Sequence, residues 1–197
     1  MDLKNYIITY DDVLDENLCK NAIDLFDRDV DSVVRYDNEM CGFSSINITE
    51  ECEVKKTGLW DALHQHLLLS VKTVGERYMK DVDCERYWPR QNSLEQIKMN
   101  KYQHKTEDRF DRHIDVGDYA SARRFLGIHM YMNDVEGGAT YFNDIDLEIP
   151  AKCGRILLYP STWTFAHTYM PPKDDDKYAV TTYLHYCLLY TSPSPRD

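Results

Sequence analysis

The chain has 197 residues, enough for one domain with a sizeable hydrophobic core, and its composition is typical of a globular protein. Its 34 acidic residues outnumber its 23 basic ones, and the resulting net charge of −11 argues against broad binding to nucleic-acid phosphates. No stretch approaches the roughly 18 apolar residues of a membrane span, so neither a nucleic acid nor a membrane is an expected partner.

The first residues, MDLKNYIITYDDVL, lack a basic segment followed by an apolar run, so no secretory signal is predicted. The six cysteines contain no CxxC pair that would indicate a zinc or redox motif. Scattered free thiols suit a reducing compartment, and we predict a cytoplasmic location. The sequence does not indicate the oligomeric state.

A short strand is expected over residues 6–10, and a helix is expected after it. Asp15 is placed to cap this helix, because an aspartate before an apolar run accepts hydrogen bonds from the first free backbone N–H groups. The apolar residues of the predicted helix recur at helical spacing: Leu18, Cys19, Ala22, Ile23 and Phe26.

The stretch from 29 to 56 is polar and mixed, and it is interpreted as loops with short strands. A stronger helix is predicted from Thr57, because apolar residues follow in steps of three and four and therefore lie on one face. His64 and His66 in this helix are predicted to be surface or boundary residues. The apolar face consists of Trp60, Leu63, Leu67, Val71, Val74 and Tyr78.

From residue 94 the apolar period changes to two, which is typical of strands. The runs LEQIKMNKY, RRFLGIHMYMN, GRILLYP, TWTFAH and KYAVTTYLHY are separated by turn signals such as NDVEGG and PPKDDD. Two helices followed by six to eight short strands predict an α+β chain in which helices pack on a β-sandwich or squashed barrel.

The stretch RHIDVGDY, positions 112–119, places His113 and Asp115 two residues apart, on one face if the backbone is extended. Such a pair is expected about once by chance in a chain of this composition. His167, at the end of another predicted strand, supplies a third ligand. Two imidazoles and one carboxylate on one side of an octahedral metal form the facial triad of non-haem Fe(II) oxygenases, which leaves coordination positions open.

Lys177 opens the run KYAVTTYLHY, in which Lys177, Ala179, Thr181 and Tyr183 share one face. If that face is buried, the ammonium needs an anionic partner, because an unpaired buried charge is destabilising. A dicarboxylate with one end on the metal would supply that partner. A surface lysine after the acidic turn is the alternative.

The run from Tyr102 to Tyr186 resembles the Fe(II)/2-oxoglutarate-dependent dioxygenases, specifically their prolyl 4-hydroxylase-like branch. The matching segments, in order, are KYQHKTEDRFDRHID, RRFLGIHMYMNDVEGGATYF, IPAKCGRILLYP and AHTYMPPKDDDKYAVTTYL. MYMN stands where Tyr-Leu-Asn is more usual, and the loop before His113 looks longer than is usual.

The resemblance implies a double-stranded β-helix core of the jelly-roll, cupin-like type at about 94–186, with supporting helices at about 11–80. Residues 1–186 are therefore expected to form a single domain. The segments 30–56 and 103–112 are expected to shape substrate specificity.

Carried over by position, the resemblance implies that His113, Asp115 and His167 hold Fe(II). It implies that Lys177 pairs with the far carboxylate of 2-oxoglutarate. The residues implied beside the cosubstrate are Tyr102, Tyr131 and Thr181. Apart from the resemblance, the strand pattern offers further residues that could line the pocket: His129, Arg124, Thr140 and Tyr183.

Two of the pocket residues keep alternative roles. His129 shares a strand face with Tyr131, and core packing or a hydrogen bond behind the ligands is favoured over metal ligation. Arg124 is equally suited to a structural ion pair and to an approach to substrate.

The implied activity is that of a dioxygenase that uses Fe(II), 2-oxoglutarate and O2, with ascorbate as reductant, hydroxylates an unactivated C–H bond and releases succinate and CO2. A peptidyl residue such as proline is the first expectation, which makes a protein or peptide the partner. One alternative is a hydroxylase of a free amino acid or another small molecule, and another is a non-catalytic β-helix protein that binds metal or ligand. The charge disfavours a nucleic-acid demethylase of the same superfamily.

The last eleven residues, CLLYTSPSPRD (187–197), break the strand pattern. They look like a sequencing-library adapter translated in frame. We expect the natural coding sequence to depart from this one after about Tyr186, and no function is assigned to the tail.

Overall fold

The computed structural model describes residues 2–187, so the adapter-like tail lies outside the described residues except for Cys187. Helix α1 spans Glu16–Arg28. Oδ1 of Asp15 accepts hydrogen bonds from the backbone N–H groups of Asn17 and Leu18, at 2.9 and 3.3 Å, and thereby caps the helix. The helix buries one face, and both the cap and the predicted apolar spacing are confirmed.

Helix α2 spans Asp61–Asp81, and the apolar face predicted for it is buried. The prediction for His64 is wrong, because its side chain is only 4% exposed. The cause is the short helical segment 48–55, where Thr49 places its Oγ1 3.4 Å from Nε2 of His64. His66 is exposed, as predicted.

Short helical turns connect the main elements. They comprise Leu3–Tyr6, Val30–Ser32, Ile48–Glu50, Glu51–Lys55, Glu85–Tyr87, His104–Thr106 and Trp163–Phe165. The last of these replaces most of the strand predicted in TWTFAH. Among the described helices, none is both long and apolar enough to cross a lipid bilayer.

The described residues form twelve strands. Three precede residue 80, where the sequence predicts a short strand over 6–10 and short strands within 29–56, and nine follow residue 91, against six to eight predicted there. They are β1 (Ile8–Tyr10), β2 (Val34–Asp37), β3 (Gly42–Asn47), β4 (Asn92–Leu94), β5 (Lys98–Tyr102), β6 (Phe110–His113), β7 (Arg124–Tyr131), β8 (Thr140–Phe142), β9 (Leu147–Ile149), β10 (Ile156–Pro160), β11 (His167–Tyr169) and β12 (Lys177–Tyr186).

The strands form two antiparallel sheets. The main sheet has the order β1-β10-β7-β12-β5-β3-β2, with β4 paired to β12, and the small sheet has the order β6-β11-β8-β9. The N-terminal part of the chain therefore contributes three strands to the main sheet in addition to its helices.

The main sheet is covered on both faces. Along β7 the side chains alternate, so that Ile128 and Met130 join the core shared with α1 and α2, whereas Tyr131 belongs to a second core. That second core includes Phe142 of the small sheet and Leu157 of β10, so it lies between the two sheets. The predicted α+β class and jelly-roll core are confirmed, and the candidate ligands lie between the sheets.

Candidate metal and cosubstrate site

Strand pairing brings the three candidate ligands together. His113 ends β6 and His167 begins β11, and the two residues are cross-strand partners in the small sheet. Asp115 follows two residues after β6. One ligand atom of each residue lies within 4.8 Å of the other two, and Nε2 of His167 is 4.0 Å from Oδ1 of Asp115.

Backbone carbonyl groups orient both imidazoles. Nδ1 of His113 lies 2.9 Å from the carbonyl oxygen of Asp111, and Nδ1 of His167 lies 3.0 Å from that of Phe165. Because a carbonyl oxygen only accepts hydrogen bonds, each Nδ1 carries the hydrogen and each Nε2 has the lone pair that a metal ligand needs. Burial, together with the nearby His167, lowers the pKa of His113 to about 4, so this imidazole is neutral at neutral pH.

Asp115 is a buried carboxylate with one oxygen unsatisfied. Its Oδ1 accepts a 2.8 Å hydrogen bond from the Tyr183 hydroxyl, whereas its Oδ2 has no partner among residues 2–187. A buried carboxylate oxygen without a partner is destabilising unless a cation lies beside it. Two imidazole nitrogens and such a carboxylate fit a ferrous ion.

An ion pair is bonded to the backbone of Asp115. The Arg124 guanidinium is paired in bidentate fashion with Glu95, and its Nη1 donates a 2.9 Å hydrogen bond to the backbone oxygen of Asp115. The same guanidinium lies 3.9 Å from the ring centroid of Tyr183. Of the two roles open to Arg124, the structural ion pair is therefore observed, although the side chain also reaches the cavity described below.

Lys177 is completely buried, so a surface position for this lysine does not hold. Its Nζ has no hydrogen-bond partner within the described part of the chain. The ammonium lies 4.9, 5.1 and 5.6 Å from the ring centroids of Tyr102, Tyr169 and Tyr131, within range of cation–π attraction. Burial lowers its pKa to about 7. Such an unpaired group fits a buried anion.

Gly138 makes room for the Lys177 side chain. A Cβ atom at this position would lie 3.1 Å from Cδ of Lys177 and 2.8 Å from Cγ2 of Val135, and the backbone has φ +61°. The Gly-Gly pair is thus more than a turn, since its second residue lets the chain approach the buried lysine closely.

The remaining predicted residues are buried or line the cavity described below. The Tyr131 hydroxyl and Oγ1 of Thr140 are 2.7 Å apart, and Oγ1 of Thr181 accepts a 3.2 Å hydrogen bond from Asn100. His129 is fully buried, with both ring nitrogens unpartnered among the described residues. Burial first, and then Lys177, hold the pKa of His129 well below its ordinary value.

A cavity of about 200 Å³ opens beside the triad. An aromatic row leads into it, in which Tyr36 stacks on Phe43 at 4.9 Å, Phe43 on Phe110 at 6.0 Å, and Phe110 on His113 at 3.8 Å. The β2–β3 hairpin and the start of β6 supply this row. The cavity is also lined by Ser45, Glu95, Gln96, Lys98, Asn100, Tyr102, Arg124, Tyr169, Thr181 and Tyr183.

Several residues near the site were not predicted. Tyr159 places its hydroxyl 3.3 Å from Nε2 of His167, and a Cβ at Gly127, its cross-strand partner, would lie 2.8 Å from the Tyr159 ring. An isolated glycine inside a strand is a signal of close approach, and Gly127 carried that signal. The cavity-lining residues that were missed are Tyr36, Phe43, Ser45, Glu95, Gln96, Lys98, Asn100, Phe110 and Tyr169.

Two other features lie apart from the triad. His104, Asp175 and Asp176 have ligand-like spacing, but Asp176 is already bonded to His104 and paired with Lys101. A cavity of about 740 Å³ lies between α1 and α2, away from the triad.

Comparisons with known proteins agree with this geometry. Residues 97–185 match the family model of the 2OG-Fe(II) oxygenase superfamily. No curated protein matches the sequence at a significant level.

The solved structures that share the fold include three prolyl hydroxylases. A prolyl hydroxylase from Trichoplax adhaerens, in complex with a hypoxia inducible factor oxygen degradation domain peptide, is 16% identical with a TM-score of 0.70, and the match covers 92% of this chain and 84% of that one. A viral collagen prolyl hydroxylase from Paramecium Bursaria Chlorella virus-1, in a 2OG complex, is 13% identical with a TM-score of 0.65. The match covers 92% of this chain and 97% of that one. A Pseudomonas putida prolyl-4-hydroxylase is 14% identical with a TM-score of 0.65, and the match covers 93% of this chain and 94% of that one. At these identities the likeness concerns the fold, while the family match covers the segment that holds the triad and Lys177.

Proposed function

We propose, from the premise that residues 97–185 belong to the 2OG-Fe(II) oxygenase superfamily, that this 2-oxoglutarate-dependent dioxygenase hydroxylates a peptidyl residue, with proline as the first candidate. In this proposal His113, Asp115 and His167 hold Fe(II). The observation that carries it is the convergence of these ligands near a buried, unpaired Lys177.

When bound, Fe(II) together with 2-oxoglutarate and O2 supplies the oxidation of a C–H bond to an alcohol, while 2-oxoglutarate becomes succinate and CO2. The residues of the chain bind the metal and the cosubstrate and hold the ligand side chains in position. The carbonyl oxygens of Asp111 and Phe165 fix the imidazoles, and the hydroxyl of Tyr183 fixes the carboxylate of Asp115.

The cosubstrate is proposed to lie between the metal and Lys177, whose ammonium binds its far carboxylate. Tyr102 and Thr181 line the cavity, and Tyr131 lies beside the lysine, which supports their predicted roles. The tyrosine rings around the ammonium exclude water and so strengthen its attraction for an anion. Ascorbate is proposed as the external reductant.

A peptide substrate is favoured by the aromatic row that leads to His113. Proline-rich and other extended segments pack their rings and side chains on such aromatic walls. Tyr36, at the outer end of this row, is exposed, so the row reaches from the surface to the candidate metal. The segments predicted to shape specificity, 30–56 and 103–112, supply Tyr36, Phe43 and Phe110.

Two further proposals concern the whole chain. We propose that residues 2–186 act as one domain, because the strands β1–β3 of the N-terminal part join the main sheet. All the cysteines that the structure describes are free thiols, as the predicted cytoplasmic location requires, and that location stays a prediction.

The test is turnover with Fe(II), 2-oxoglutarate, O2 and ascorbate, in which succinate and the mass of a proline-containing peptide are measured. We expect succinate to form and the peptide to gain one oxygen atom. His113→Ala and Asp115→Ala should abolish both signals, while His66→Ala, which removes an exposed histidine of α2, should leave them unchanged.

Each alternative gives a different result. Succinate coupled to hydroxylation of free amino acids, with every peptide unmodified, would show a small-molecule hydroxylase. Metal binding without any succinate would show a non-catalytic protein.

A further inference from the structure

His129 is a buried histidine with unused hydrogen-bonding capacity. It is 0% exposed, and neither ring nitrogen has a partner among residues 2–187. An imidazole in either tautomer, or protonated, carries at least one N–H donor. Because burying a donor without an acceptor is destabilising, His129 requires an acceptor that the described chain does not supply.

The neighbouring strands do not provide this acceptor. Leu157, the partner of His129 on β10, is apolar. Thr181, its partner on β12, bonds to Asn100 and makes no hydrogen bond to the imidazole. Thr181 also lines the cavity, so His129 is the cross-strand neighbour of a residue in the cavity wall.

His129 and Lys177 converge on the same two aromatic rings. The imidazole centroid is 4.7 Å from that of Tyr131 and 4.8 Å from that of Tyr169. The ammonium of Lys177 is 5.6 and 5.1 Å from these same centroids. Two buried donors, both without partners among the described residues, therefore lie against the same pair of aromatic rings between the sheets.

We propose that His129 and Lys177 together bind the distal carboxylate of 2-oxoglutarate, with one donor for each carboxylate oxygen. A carboxylate accepts several hydrogen bonds, so both donors can be satisfied at once. This inference rests on the proposed function and adds to it a binding residue that the family resemblance does not imply. It makes His129 a determinant of selectivity for dicarboxylates, because a 2-oxo acid without the distal carboxylate cannot use it.

The test measures dissociation constants by calorimetry, with Mn(II) in place of Fe(II) so that no turnover occurs. The ligands are 2-oxoglutarate and pyruvate, which shares the 2-oxo acid group but lacks the distal carboxylate. His129→Leu, which keeps the volume and removes the donor, should raise the Kd for 2-oxoglutarate about tenfold and leave that for pyruvate unchanged. His129→Gln, which keeps an N–H donor, should stay within about threefold of the wild type.

Each result decides the inference. An unchanged Kd for 2-oxoglutarate in His129→Leu overturns it, and so does equal weakening of both ligands, since His129 would then act on the metal-binding end. A wild-type protein that binds metal but not 2-oxoglutarate instead overturns the proposed function.

If His129→Leu does not fold, nuclear magnetic resonance of the wild-type Zn(II) form decides. An imidazole N–H proton of His129 should move downfield on addition of 2-oxoglutarate and not on addition of pyruvate. No movement with 2-oxoglutarate overturns the inference.

Discussion

The hydroxyl of Tyr183 donates a 2.8 Å hydrogen bond to Oδ1 of Asp115, and this bond links the main sheet to the candidate metal site. Tyr183 lies on β12, the strand that Lys177 opens. Burial, and Asp115 beside it, raise the pKa of Tyr183 well above its ordinary value, so the hydroxyl keeps its proton and acts as donor. One strand therefore positions both a candidate metal ligand and the candidate cosubstrate lysine.

Removal of this hydrogen bond should weaken metal binding. We expect Tyr183→Phe to raise the Kd for Fe(II) or Co(II) about tenfold, because the carboxylate of Asp115 loses the bond that orients it. Anaerobic metal titration of the purified protein measures this. Tyr186→Phe, at an exposed position on the same strand, is the control and should bind metal like the wild type. Equal affinities in all three proteins would show that the bond does not orient the ligand.

Replacement of Lys177 by an apolar residue should stabilise the metal-free protein while it strongly weakens 2-oxoglutarate binding. The ammonium is buried and unpaired, so Lys177→Met should raise the free energy of unfolding by about 1–4 kcal/mol. Urea denaturation at pH 7 measures the gain, and the exposed Lys105→Met should change it by no more than about 0.5 kcal/mol. A loss of stability in Lys177→Met would mean that the lysine already has a stabilising partner.

The affinity for 2-oxoglutarate should fall as pH rises above about 7. Burial lowers the pKa of Lys177 from 10.5 to about 7, so the ligand-free protein holds the ammonium below that pH and the neutral amine above it. If the bound anion requires the ammonium, binding above pH 7 takes up a proton, and the Kd increases about tenfold per pH unit.

Calorimetry in buffers with different ionisation enthalpies measures that proton. The number of protons taken up per 2-oxoglutarate bound should approach zero well below pH 7 and one well above it. The residual binding of 2-oxoglutarate by Lys177→Met should take up no proton. A flat wild-type profile across neutral pH would contradict the role of this lysine.

The sequence predicts the candidate ligands but little of what supports them. Two-residue spacing pairs His113 with Asp115 and places Lys177 on one strand face, and the family resemblance adds His167 and the roles of all four residues. Tyr169 could have been found in the same way, since it lies two residues after His167 on β11 and shares its face.

Contacts between distant segments could not be predicted from one sequence. Glu95 reaches Arg124 only because β4 pairs with β12, next to β7. His64 is buried only because the segment that carries Thr49 packs against α2. In both cases the local pattern is that of a surface residue, and the partner is fixed by tertiary pairing.

Gly138 provides a test of the space around Lys177. Alanine at this position is strained by the positive φ and would place a Cβ 2.8 Å from Val135 and 3.1 Å from Lys177. We expect Gly138→Ala to lower the free energy of unfolding by about 1–3 kcal/mol and to raise the Kd for 2-oxoglutarate several-fold, because the lysine stem must shift. Metal affinity should stay unchanged, since no atom of the triad is among the three closest to the added methyl group.

Gly117→Ala is the matched control for this substitution. The φ of Gly117 lies outside the left-handed region, and a methyl group added there would meet no atom within 4 Å beyond its chain neighbours, so its replacement should change neither stability nor binding. Thermal unfolding and calorimetry on the Mn(II) forms of both variants measure the two effects separately. A folded Gly138→Ala protein that binds 2-oxoglutarate like the wild type would show that the position of the Lys177 stem does not determine cosubstrate affinity.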